Sequence, residues 1–476
     1  MSRIIIDKRY KVLRKLGTGA HGTVYKVRDG NNNKVIALKI LSKKKISSET
    51  MQRFKREFKL LAGLQHPNLC AVYDFGILKD GRNYFTMEYI DGENIFQASK
   101  GLSYKKMYSW IVQLCRALQY IHSKGLIHYD IKPGNVLIQY VDNTPCVKLM
   151  DFGLAGEQRI RGGIIIRGTF PYIAPEIIKG LAVDHRADLY SLGVLLYKIF
   201  TKKSFKVKDE TSFTRLLQQQ QARFSKPLSR IARGIPKRLE RLIVQLCSFE
   251  PATRFSRANE IIGEINKLSR LKFEFETEKT LESYLMSSKF VGREKEMELL
   301  TSLYEKARKG EGKVVLITGD AGIGKSRLLR EFKIVTQLKH SHSFIGYAHR
   351  DKTGPLDPFY AIFSELINYL GKGLDLSRTK KLRLPLAVLF RIFPDLTDGH
   401  LRKNLPKLVS LEPKQEKLRN FEALSELIGY CASNLGEFVI LLEDLHWADD
   451  LTIQFLKYLG RNITDRNIFI CGTCRR

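Results

Sequence analysis

The sequence has few of the features of exported, membrane-spanning or disulfide-rich chains. No apolar run approaches the roughly 20 residues needed to cross a bilayer, and residues 1–8 hold too short an apolar core for a signal peptide. Seven cysteines are scattered over 476 residues, an odd number without a disulfide framework or a second ligand pair for zinc. We therefore expect a cytoplasmic protein with free thiols and no membrane span, and we interpret Cys471 and Cys474 as part of a buried strand.

Acidic residues are also scarce. The chain has 49 Asp and Glu against 81 Lys and Arg, and most of its net charge of +32 belongs to residues 1–270, which hold 48 basic and 22 acidic residues. Residues 198–241 are the densest stretch, with 13 basic and 3 acidic residues. This asymmetry favours an acidic partner at 198–241, and a solvated basic face without a partner is the alternative. A nucleic-acid-binding protein fits the charge, but no recognisable module for that function is present.

The remaining composition, 43% hydrophobic, suits packed domains. Residues 10–90 alternate short β-type runs with turns, and one helical pattern at 50–64 interrupts them. Residues 103–268 are mostly helical in pattern. Acidic and polar residues from 271 to 289 indicate a linker. The order of elements after the linker is that of an α/β nucleotide-binding fold, with strands predicted at 313–318, 438–442 and 467–473 and a helix from 324.

A glycine-rich loop follows the first predicted strand. Gly17, Gly19, Gly22 and Val24 form GxGxxGxV, in which glycines let the backbone close over phosphates. The same glycine spacing occurs in a Rossmann turn, but here a strand follows the loop instead of a helix. The next strand ends at Lys39, a cation suited to the α and β phosphates of a nucleotide.

Residues 128–135 and Asp151 carry the most specific chemistry. Asp130 supplies a proton acceptor, Lys132 a cation, and Asn135 and Asp151 two oxygen ligands, at spacings suited to phosphoryl transfer. Carboxylate and amide oxygens suit Mg²⁺ and not zinc.

With these motifs in order, residues 10–268 resemble the catalytic domain of a serine/threonine protein kinase, with a small lobe at about 10–90 and a large lobe at about 91–268. The resemblance implies that Asp130 is the catalytic base or orients the substrate hydroxyl, and that Lys132 stabilises the transferring phosphoryl group. It implies ATP and Mg²⁺ as cofactors, with the metal held by Asn135 and Asp151, and a protein substrate with a Ser or Thr hydroxyl.

The same resemblance assigns the ATP contacts and the end of the activation segment. Met87 stands at the gatekeeper position, and Thr169 bonds to the catalytic Asp and Lys. Glu57 is the counter-ion of Lys39. The implied ATP-site residues are Gly17, Gly19, Gly22, Val24, Ala37, Lys39, Glu57, Glu88 and Ile90.

Three further residues are implied to be architectural. Glu176 is expected to form a buried ion pair with Arg254, and Asp188 to brace the catalytic loop. Removing one partner of a buried pair typically costs about 3–5 kcal/mol, so such residues look essential without touching substrate.

The chain departs from the kinase pattern at Tyr129, where the family commonly has Arg before the catalytic Asp. The cation that would bind a phosphorylated activation loop is thereby missing. Residues 151–176 also contain no Ser, and their only hydroxyl side chains are Thr169 and Tyr172. We therefore expect a kinase that does not depend on activation-loop phosphorylation.

A second phosphate-binding motif lies at residues 319–326. Gly319, Gly324, Lys325 and Ser326 form GxxxxGKS between a predicted strand and a helix. Backbone N–H groups of this P-loop bind phosphate oxygens, the lysine reaches the β and γ phosphates, and the serine ligates Mg²⁺.

The predicted strand 438–442 leads into Glu443 and Asp444, the Walker B pattern, and either carboxylate could lie near Mg²⁺. Residues 290–476, after a linker at 269–289, resemble the AAA-type ATPase of the signal-transduction (STAND) class found behind kinase domains in bacterial regulators. A further strand and a helical lid of that class are missing, so the sequence is either a fragment or a degenerate module. We expect nucleotide binding that acts as a switch, and leave turnover open.

We therefore predict an α+β bilobal protein-kinase fold followed by an α/β P-loop NTPase domain. The predicted function is an ATP-dependent serine/threonine protein kinase with a regulatory nucleotide-binding module, acting in signal transduction. The alternative is a signalling scaffold whose kinase half is a pseudokinase. Against the scaffold stands a complete catalytic set, which consists of Lys39, Glu57, Asp130, Lys132, Asn135 and Asp151.

Overall fold

The computed structural model defines two lobes in the first half of the chain and a parallel-sheet domain in the second. It describes residues 4–19, 22–42, 48–151, 157–159, 165–167, 169–202, 217–218, 221–222, 224, 228, 234–286, 292–339, 341–350, 354–370, 380–396, 401–402 and 405–475. Within these ranges, no helix is both long enough and apolar enough to span a bilayer.

The small lobe is an antiparallel sheet with one helix packed on it. Its strands lie in the order β1-β2-β3-β4-β6-β5. The helix α1 buries Phe54 and Phe58 against Phe75 and Phe85 of the sheet, with ring centroids 5.0–6.3 Å apart. The elements are β1 (Ile5–Ile6), β2 (Tyr10–Gly19), β3 (Gly22–Asp29), β4 (Val35–Leu41), α1 (Ser48–Ala62), β5 (Val72–Ile77) and β6 (Asn83–Glu88).

The large lobe is mostly helical, as its periodicity predicts. Helix α3 lies at its centre, and residues from Trp110 to Ile121 contribute its buried face. A three-stranded sheet in the order β7-β8-β9 lies beside the small lobe and carries the catalytic loop into its second strand. The elements are β7 (Gly92–Asn94), α2 (Ile95–Ala98), α3 (Tyr104–Ser123), β8 (Val136–Val141), β9 (Thr144–Leu149), β10 (Glu157–Arg159), β11 (Ile165–Arg167), α4 (Pro175–Ile178), α5 (Arg186–Thr201), α6 (Lys237–Leu246) and α7 (Ala258–Ser269).

The predicted linker contains a helix, α8 (Glu278–Met286), and packs on the large lobe. The Arg116 guanidinium donates hydrogen bonds to the carbonyls of Glu274 and Phe275 at 2.6 and 3.2 Å. Tyr284 of α8 meets Tyr120 of α3 edge to face at 5.3 Å. This polar segment is therefore a connection that packs against the large lobe along part of its length.

The second domain is built on a four-stranded parallel sheet in the order β12-β15-β14-β13. Helices α9 and α10 cover one face, and the other helices cover the second face. The elements are α9 (Glu294–Arg308), β12 (Lys313–Thr318), α10 (Lys325–Leu338), β13 (His342–Tyr347), α11 (Asp357–Leu370), α12 (Arg383–Ile392), α13 (Pro413–Leu435), β14 (Phe438–Glu443), α14 (Asp450–Asn462) and β15 (Ile468–Cys474).

Strand β14 is buried along its whole length. Val439 and Leu441 join the core under α9 and α10, whereas Ile440 and Leu442 face the core on the opposite side. An apolar run without alternation is what a strand covered on both faces requires. The predicted strands at 313–318, 438–442 and 467–473 are confirmed to within one residue, and Cys471 is buried in β15 as expected.

Candidate catalytic site and second phosphate site

Asp130, Lys132 and Thr169 form a closed hydrogen-bonded triangle in the cleft between the lobes. Lys132 Nζ donates to Asp130 Oδ2 at 2.7 Å and to Thr169 Oγ1 at 2.8 Å. The Thr169 hydroxyl in turn donates to Asp130 Oδ1 at 2.7 Å. The predicted bond of Thr169 to the catalytic Asp and Lys is therefore present, and it connects the end of the activation segment to the catalytic loop.

Asn135 fixes the same carboxylate from the other side. Its amide nitrogen donates to the Asp130 carbonyl at 2.8 Å and to Asp130 Oδ2 at 2.9 Å. The amide nitrogen is thereby committed to Asp130, which leaves Oδ1 of Asn135 as the atom for a cation. The side chain is only 5% exposed, so its orientation is set by these bonds.

Asp188 braces the catalytic loop through the main chain, as predicted. Its fully buried carboxylate accepts hydrogen bonds from the backbone N–H groups of His128 (2.8 Å) and Tyr129 (2.9 Å). Nε2 of His122 lies 2.8 Å from the same group. Burial raises the pKa of Asp188, but these hydrogen bonds and the His122 ring outweigh it, so the net pKa lies below the ordinary value. The brace holds Tyr129 at a φ of 67°, in the left-handed region.

Lys39 connects the two lobes electrostatically. Its Nζ lies 2.8 Å from Glu57 Oε1 on α1 and 3.2 Å from Asp151 Oδ1 below it. Burial alone would lower the pKa of Lys39, but the two carboxylates raise it above the ordinary value. Lys39 in turn holds the pKa of Asp151 below the ordinary value, although burial opposes the shift. Both groups are therefore charged at neutral pH, as nucleotide and metal binding require.

The glycine-rich loop lies over this site between β2 and β3. Gly17 pairs with Val24 across the ladder, and Val24 pairs with Lys39 on β4. A Cβ atom at Gly22 would come within 2.2 Å of the Ile40 carbonyl oxygen, so only glycine fits at that position. Among the described residues, no heavy atom lies within 4 Å of a Cβ built at Gly17 or Gly19. These two glycines leave the roof of the cleft open, consistent with a loop that covers phosphates.

The hinge follows β6. Ala37 pairs with Met87, and both side chains are buried, as is Ile90. The Glu88 carboxylate forms an ion pair with Lys148 of β9 at 2.8 Å. Sequence reasoning missed Lys148, because a cation on a short strand carries no signal for a partner 60 residues away. The pair connects the hinge to the strand that leads into Asp151.

Part of the predicted site lies outside the described residues. This applies to Ala20 and His21 of the glycine-rich loop, to Phe152 and Gly153 after Asp151, and to Gly168. Most of the basic stretch 198–241 is also outside them.

The second phosphate site lies at the carboxyl end of β12. Gly319, Gly322 and Gly324 all have positive φ angles, 158°, 78° and 94°, which glycine adopts without strain. Lys325 is the first residue of α10, and its Nζ donates to the carbonyls of Gly319 (2.8 Å) and Asp320 (2.7 Å). The first turn of α10 and the Lys325 ammonium group thus lie at the same end of the sheet, the arrangement in which a helix N-terminus and a lysine bind phosphate.

Of the two Walker B candidates, Glu443 lies inside the site and Asp444 at its rim. Glu443 is 4% exposed, and within the described residues its Oε1 is buried without a hydrogen-bond partner. Burial raises the pKa of Glu443, while Arg330 (3.6 Å) and the Ser326 hydroxyl oppose the shift. The Asp444 side chain is 47% exposed. A buried carboxylate oxygen that accepts no hydrogen bond within the described residues, and has only the 3.6 Å contact to Arg330, fits a magnesium ligand beside Ser326.

Sequence reasoning assigned no role to Thr473, which is fully buried in β15. Its hydroxyl accepts a hydrogen bond from the backbone N–H of Asp444 at 2.9 Å. The bond fixes the turn after β14, where Asp444 has a φ of 57°. Threonine is common at strand ends, so the residue type gave no signal. Its bond to Asp444 becomes visible through the parallel pairing of β14 with β15.

The fold and the two phosphate sites define a nucleotide-binding protein with a phosphotransferase-type cleft. Residues 10–265 match the model of the protein kinase domain family, more than half of the 476 residues, so the chain belongs to that family. Residues 289–471 match the AAA ATPase domain model. The predicted fold class, a protein kinase fold followed by an AAA-type P-loop domain, is thereby confirmed.

Curated relatives carry kinase names. A probable serine/threonine-protein kinase of Clostridium perfringens is 34% identical over 273 residues, which cover 56% of this chain and 39% of that protein. The serine/threonine-protein kinase pkn3 of Myxococcus xanthus is 33% identical, with 56% of this chain and 51% of that protein covered. The chain thus spans between two fifths and about half of these relatives.

Among solved structures, the kinase domain of Mycobacterium tuberculosis PknI is 27% identical, with a TM-score of 0.44. The alignment covers 57% of this chain and 99% of that structure.

Proposed function

We propose that this protein is an ATP-dependent serine/threonine protein kinase, with a nucleotide-binding regulatory domain, that acts in signal transduction. One arrangement of side chains carries the proposal. Asp130, Lys132 and Thr169 form a triangle of hydrogen bonds. In the same site, Lys39 forms ion pairs with Glu57 and Asp151. The proposed kinase domain comprises residues 10–268. A linker at residues 269–289 connects it to the proposed regulatory domain, residues 290–476.

In the proposed reaction, Asp130 accepts a hydrogen bond from the substrate hydroxyl and orients its oxygen towards the γ-phosphoryl group. Lys132 Nζ, 2.7 Å from the same carboxylate, stabilises the charge on the transferring group. Lys39 contacts the α and β phosphates, and Glu57 keeps its ammonium group in place. Little covalent chemistry is required of the protein, because phosphoryl transfer depends mainly on positioning and charge neutralisation.

Asn135 and Asp151 are the residues that would hold Mg²⁺ in the kinase cleft. Asn135 Oδ1 and the Asp151 carboxylate are hard oxygen donors, and the low pKa of Asp151 keeps it ionised. The metal, when bound, neutralises charge on the β and γ phosphates. In the second domain, Ser326 and Glu443 are the corresponding candidates, with Asp444 further out.

The proposed serine/threonine class rests on Thr169, which bonds to Lys132 at 2.8 Å as the resemblance implies for that class, and on the serine/threonine-kinase names of the relatives. The pseudokinase alternative receives no support, since each position that binds ATP, metal or substrate hydroxyl has a functional side chain.

We also propose that activity does not require a phosphorylated activation segment. Tyr129 replaces the arginine that would bind such a phosphate, and its side chain packs against the lobe core. Active protein should therefore keep its rate after phosphatase treatment. A loss of activity that accompanies removal of an activation-segment phosphate, detected by mass spectrometry, would contradict this.

Two features of the cellular setting are part of the proposal. The seven cysteines all lie within the described residues and none forms a disulfide, which agrees with a reducing compartment such as the cytoplasm. The basic stretch 198–241 is proposed to meet an acidic partner, on the basis of its charge alone.

The kinase proposal is tested by transfer of labelled phosphate from ATP to a generic protein substrate. Asp130→Asn and Lys39→Met should each lower the rate by about 100-fold or more. Asp142→Asn, in the exposed β8–β9 hairpin, is the matched control and should keep full activity. Activity that survives in Asp130→Asn, or phosphotyrosine as the main product, would overturn the assignment.

The second site is tested by nucleotide binding in a Lys39→Met background, where the kinase cleft binds weakly. Adding Lys325→Ala should then abolish the remaining binding. Binding that is unchanged by Lys325→Ala would defeat the P-loop assignment.

A further inference from the structure

Helix α10 connects the second phosphate site to the kinase small lobe. It begins at the P-loop residue Lys325 and ends at Leu338, so its 14 residues span about 20 Å. Its first turn belongs to the phosphate site. Its last turns, with Lys333, Ile334, Gln337 and Leu338, lie on the kinase domain.

The polar part of this contact is centred on Asp74 of β5. Asp74 Oδ1 lies 3.0 Å from Lys333 Nζ and accepts a hydrogen bond from Gln337 Nε2 at 3.1 Å. Arg9 approaches the other carboxylate oxygen at 3.4 Å. Burial raises the pKa of Asp74, but the two cations lower it below the ordinary value, and the carboxylate raises the pKa of Lys333 against its own burial. The pair is therefore charged, partly buried and specific to one orientation of α10.

The apolar part of the contact reaches α1. Ile334 and Leu338 pack against the core that contains Phe54 and Phe58 of α1 and Phe75 of β5. Lys55 of α1 also donates from Nζ to the Leu338 carbonyl at 3.2 Å, at the negative end of the α10 dipole. Helix α10 thus contacts the small lobe at both α1 and β5.

The same helix α1 carries Glu57, the partner of Lys39. Lys55 and Glu57 are two residues apart, so they point in directions that differ by about 200° around the helix. One side of α1 therefore contacts α10, and the other presents Glu57 to the catalytic lysine at 2.8 Å. Helix α1 thus connects the contact with α10 to the residue that pairs with Lys39.

We propose that the P-loop domain is a nucleotide-responsive activator of the kinase, and that α10, docked through Lys333 and Asp74, transmits its state to α1. The proposal rests on the kinase function proposed above and names its regulation. Phosphate oxygens at the P-loop compete with the Gly319 and Asp320 carbonyls for Lys325, at the first residue of α10. In the structure, α10 is docked on the small lobe and the Lys39–Glu57 ion pair is formed. Because the two occur together in this state, release of α10 from the small lobe lowers the kinase rate.

The test is a double-mutant cycle in the intact chain, measured as phosphate transfer at saturating ATP. Lys333→Glu places a second acid beside Asp74 and should lower the rate about fivefold or more, while Lys333→Arg restores it. Lys325→Ala should also change the rate. In the double variant the two effects should be strongly non-additive, because both act through α10.

The control for the charge change is Lys457→Glu, on the exposed face of α14, which should match the parent protein. Thermal unfolding of each variant separates loss of docking from loss of fold. The inference fails if Lys333→Glu behaves like Lys457→Glu in a folded protein, or if the effects of Lys325→Ala and Lys333→Glu simply add. If no variant, nor the parent, transfers phosphate in an Asp130-dependent way, the kinase function itself has failed.

Discussion

The Thr169 hydroxyl donates a hydrogen bond to Asp130 Oδ1 at 2.7 Å, although 39 residues separate the two in the chain. The bond makes the geometry of the proposed base depend on the end of the activation segment. Thr169→Val, which keeps the shape but removes the hydroxyl, should lower kcat about 100-fold, because Asp130 and Lys132 lose their common partner.

Thr169→Ser is the matched control and should retain most of the activity. Steady-state phosphorylation with ATP affinity measured in parallel checks both variants. Equal rates for the valine and serine variants would show that the hydroxyl has no part in positioning Asp130.

The buried ion pair of Glu176 and Arg254 should matter for stability more than for chemistry. The two side chains are 3% and 0% exposed, and the guanidinium makes two bonds of 2.7 and 2.8 Å to the carboxylate. Glu176→Gln leaves a buried cation without its counter-ion and should destabilise the kinase domain by about 3–5 kcal/mol.

Glu264→Gln removes the partner of Lys267 in an exposed pair, with side chains 43% and 69% accessible, and should cost less than about 0.5 kcal/mol. The free energy of unfolding of both variants is measured by urea denaturation, using a signal that reports the unfolding of the kinase domain. A similar cost for the two variants would refute the structural role of the buried pair.

Gly22 should tolerate no side chain. Its Cβ would lie 2.2 Å from the Ile40 carbonyl oxygen, which the β3–β4 ladder holds in place. Gly22→Ala should therefore destabilise the small lobe by about 1–3 kcal/mol and weaken ATP binding. Gly263→Ala lies in α7, where no heavy atom of the described part of the chain comes within 4 Å of the new Cβ, and should instead stabilise the fold by about 0.5–1 kcal/mol. Calorimetry compares them, and a Gly22→Ala protein as stable as its parent would contradict the prediction.

Stability should depend on pH through Glu365 of α11. Burial raises the pKa of this carboxyl to about 7, with Arg9 and Lys333 opposing the shift and Asp74 adding to it. An acid whose pKa is raised by folding stabilises the fold while protonated, and this contribution is lost as pH rises through about 7.

The melting temperature of the parent should therefore fall more between pH 5 and pH 8 than that of Glu365→Gln, which stays neutral. Glu422→Gln, on the exposed side of α13, should follow the parent. If the melting temperatures of the parent and of Glu365→Gln change with pH in the same way, Glu365 is not the titrating group.

The residues of the proposed catalytic centre could be brought together from sequence because the proposed chemistry requires particular residue types at short, fixed spacings. Asp130, Lys132 and Asn135 lie within six residues, and Lys325 and Ser326 follow a loop that only glycines permit. The buried strands were predictable for a related reason, since β14 has apolar side chains at every position from Phe438 to Leu442.

The docking of the two domains could not be predicted in this way. Asp74 and Lys333 are 259 residues apart, and each looks locally like an ordinary charged surface residue. The Lys148 partner of Glu88 and the Thr473 partner of Asp444 are similar cases. Such pairs depend on how whole elements pack, and a periodic pattern reports only which face of an element is apolar.

The main-chain brace from Asp188 has an evolutionary consequence. Because it holds the backbone N–H groups of His128 and Tyr129, the conformation of the loop does not depend on a charged side chain at position 129. An arginine that binds an activation-segment phosphate can therefore be replaced by tyrosine in a single substitution while the loop keeps its conformation. Under the regulation proposed above, control by the second domain is therefore compatible with an unchanged main-chain brace around the proposed base.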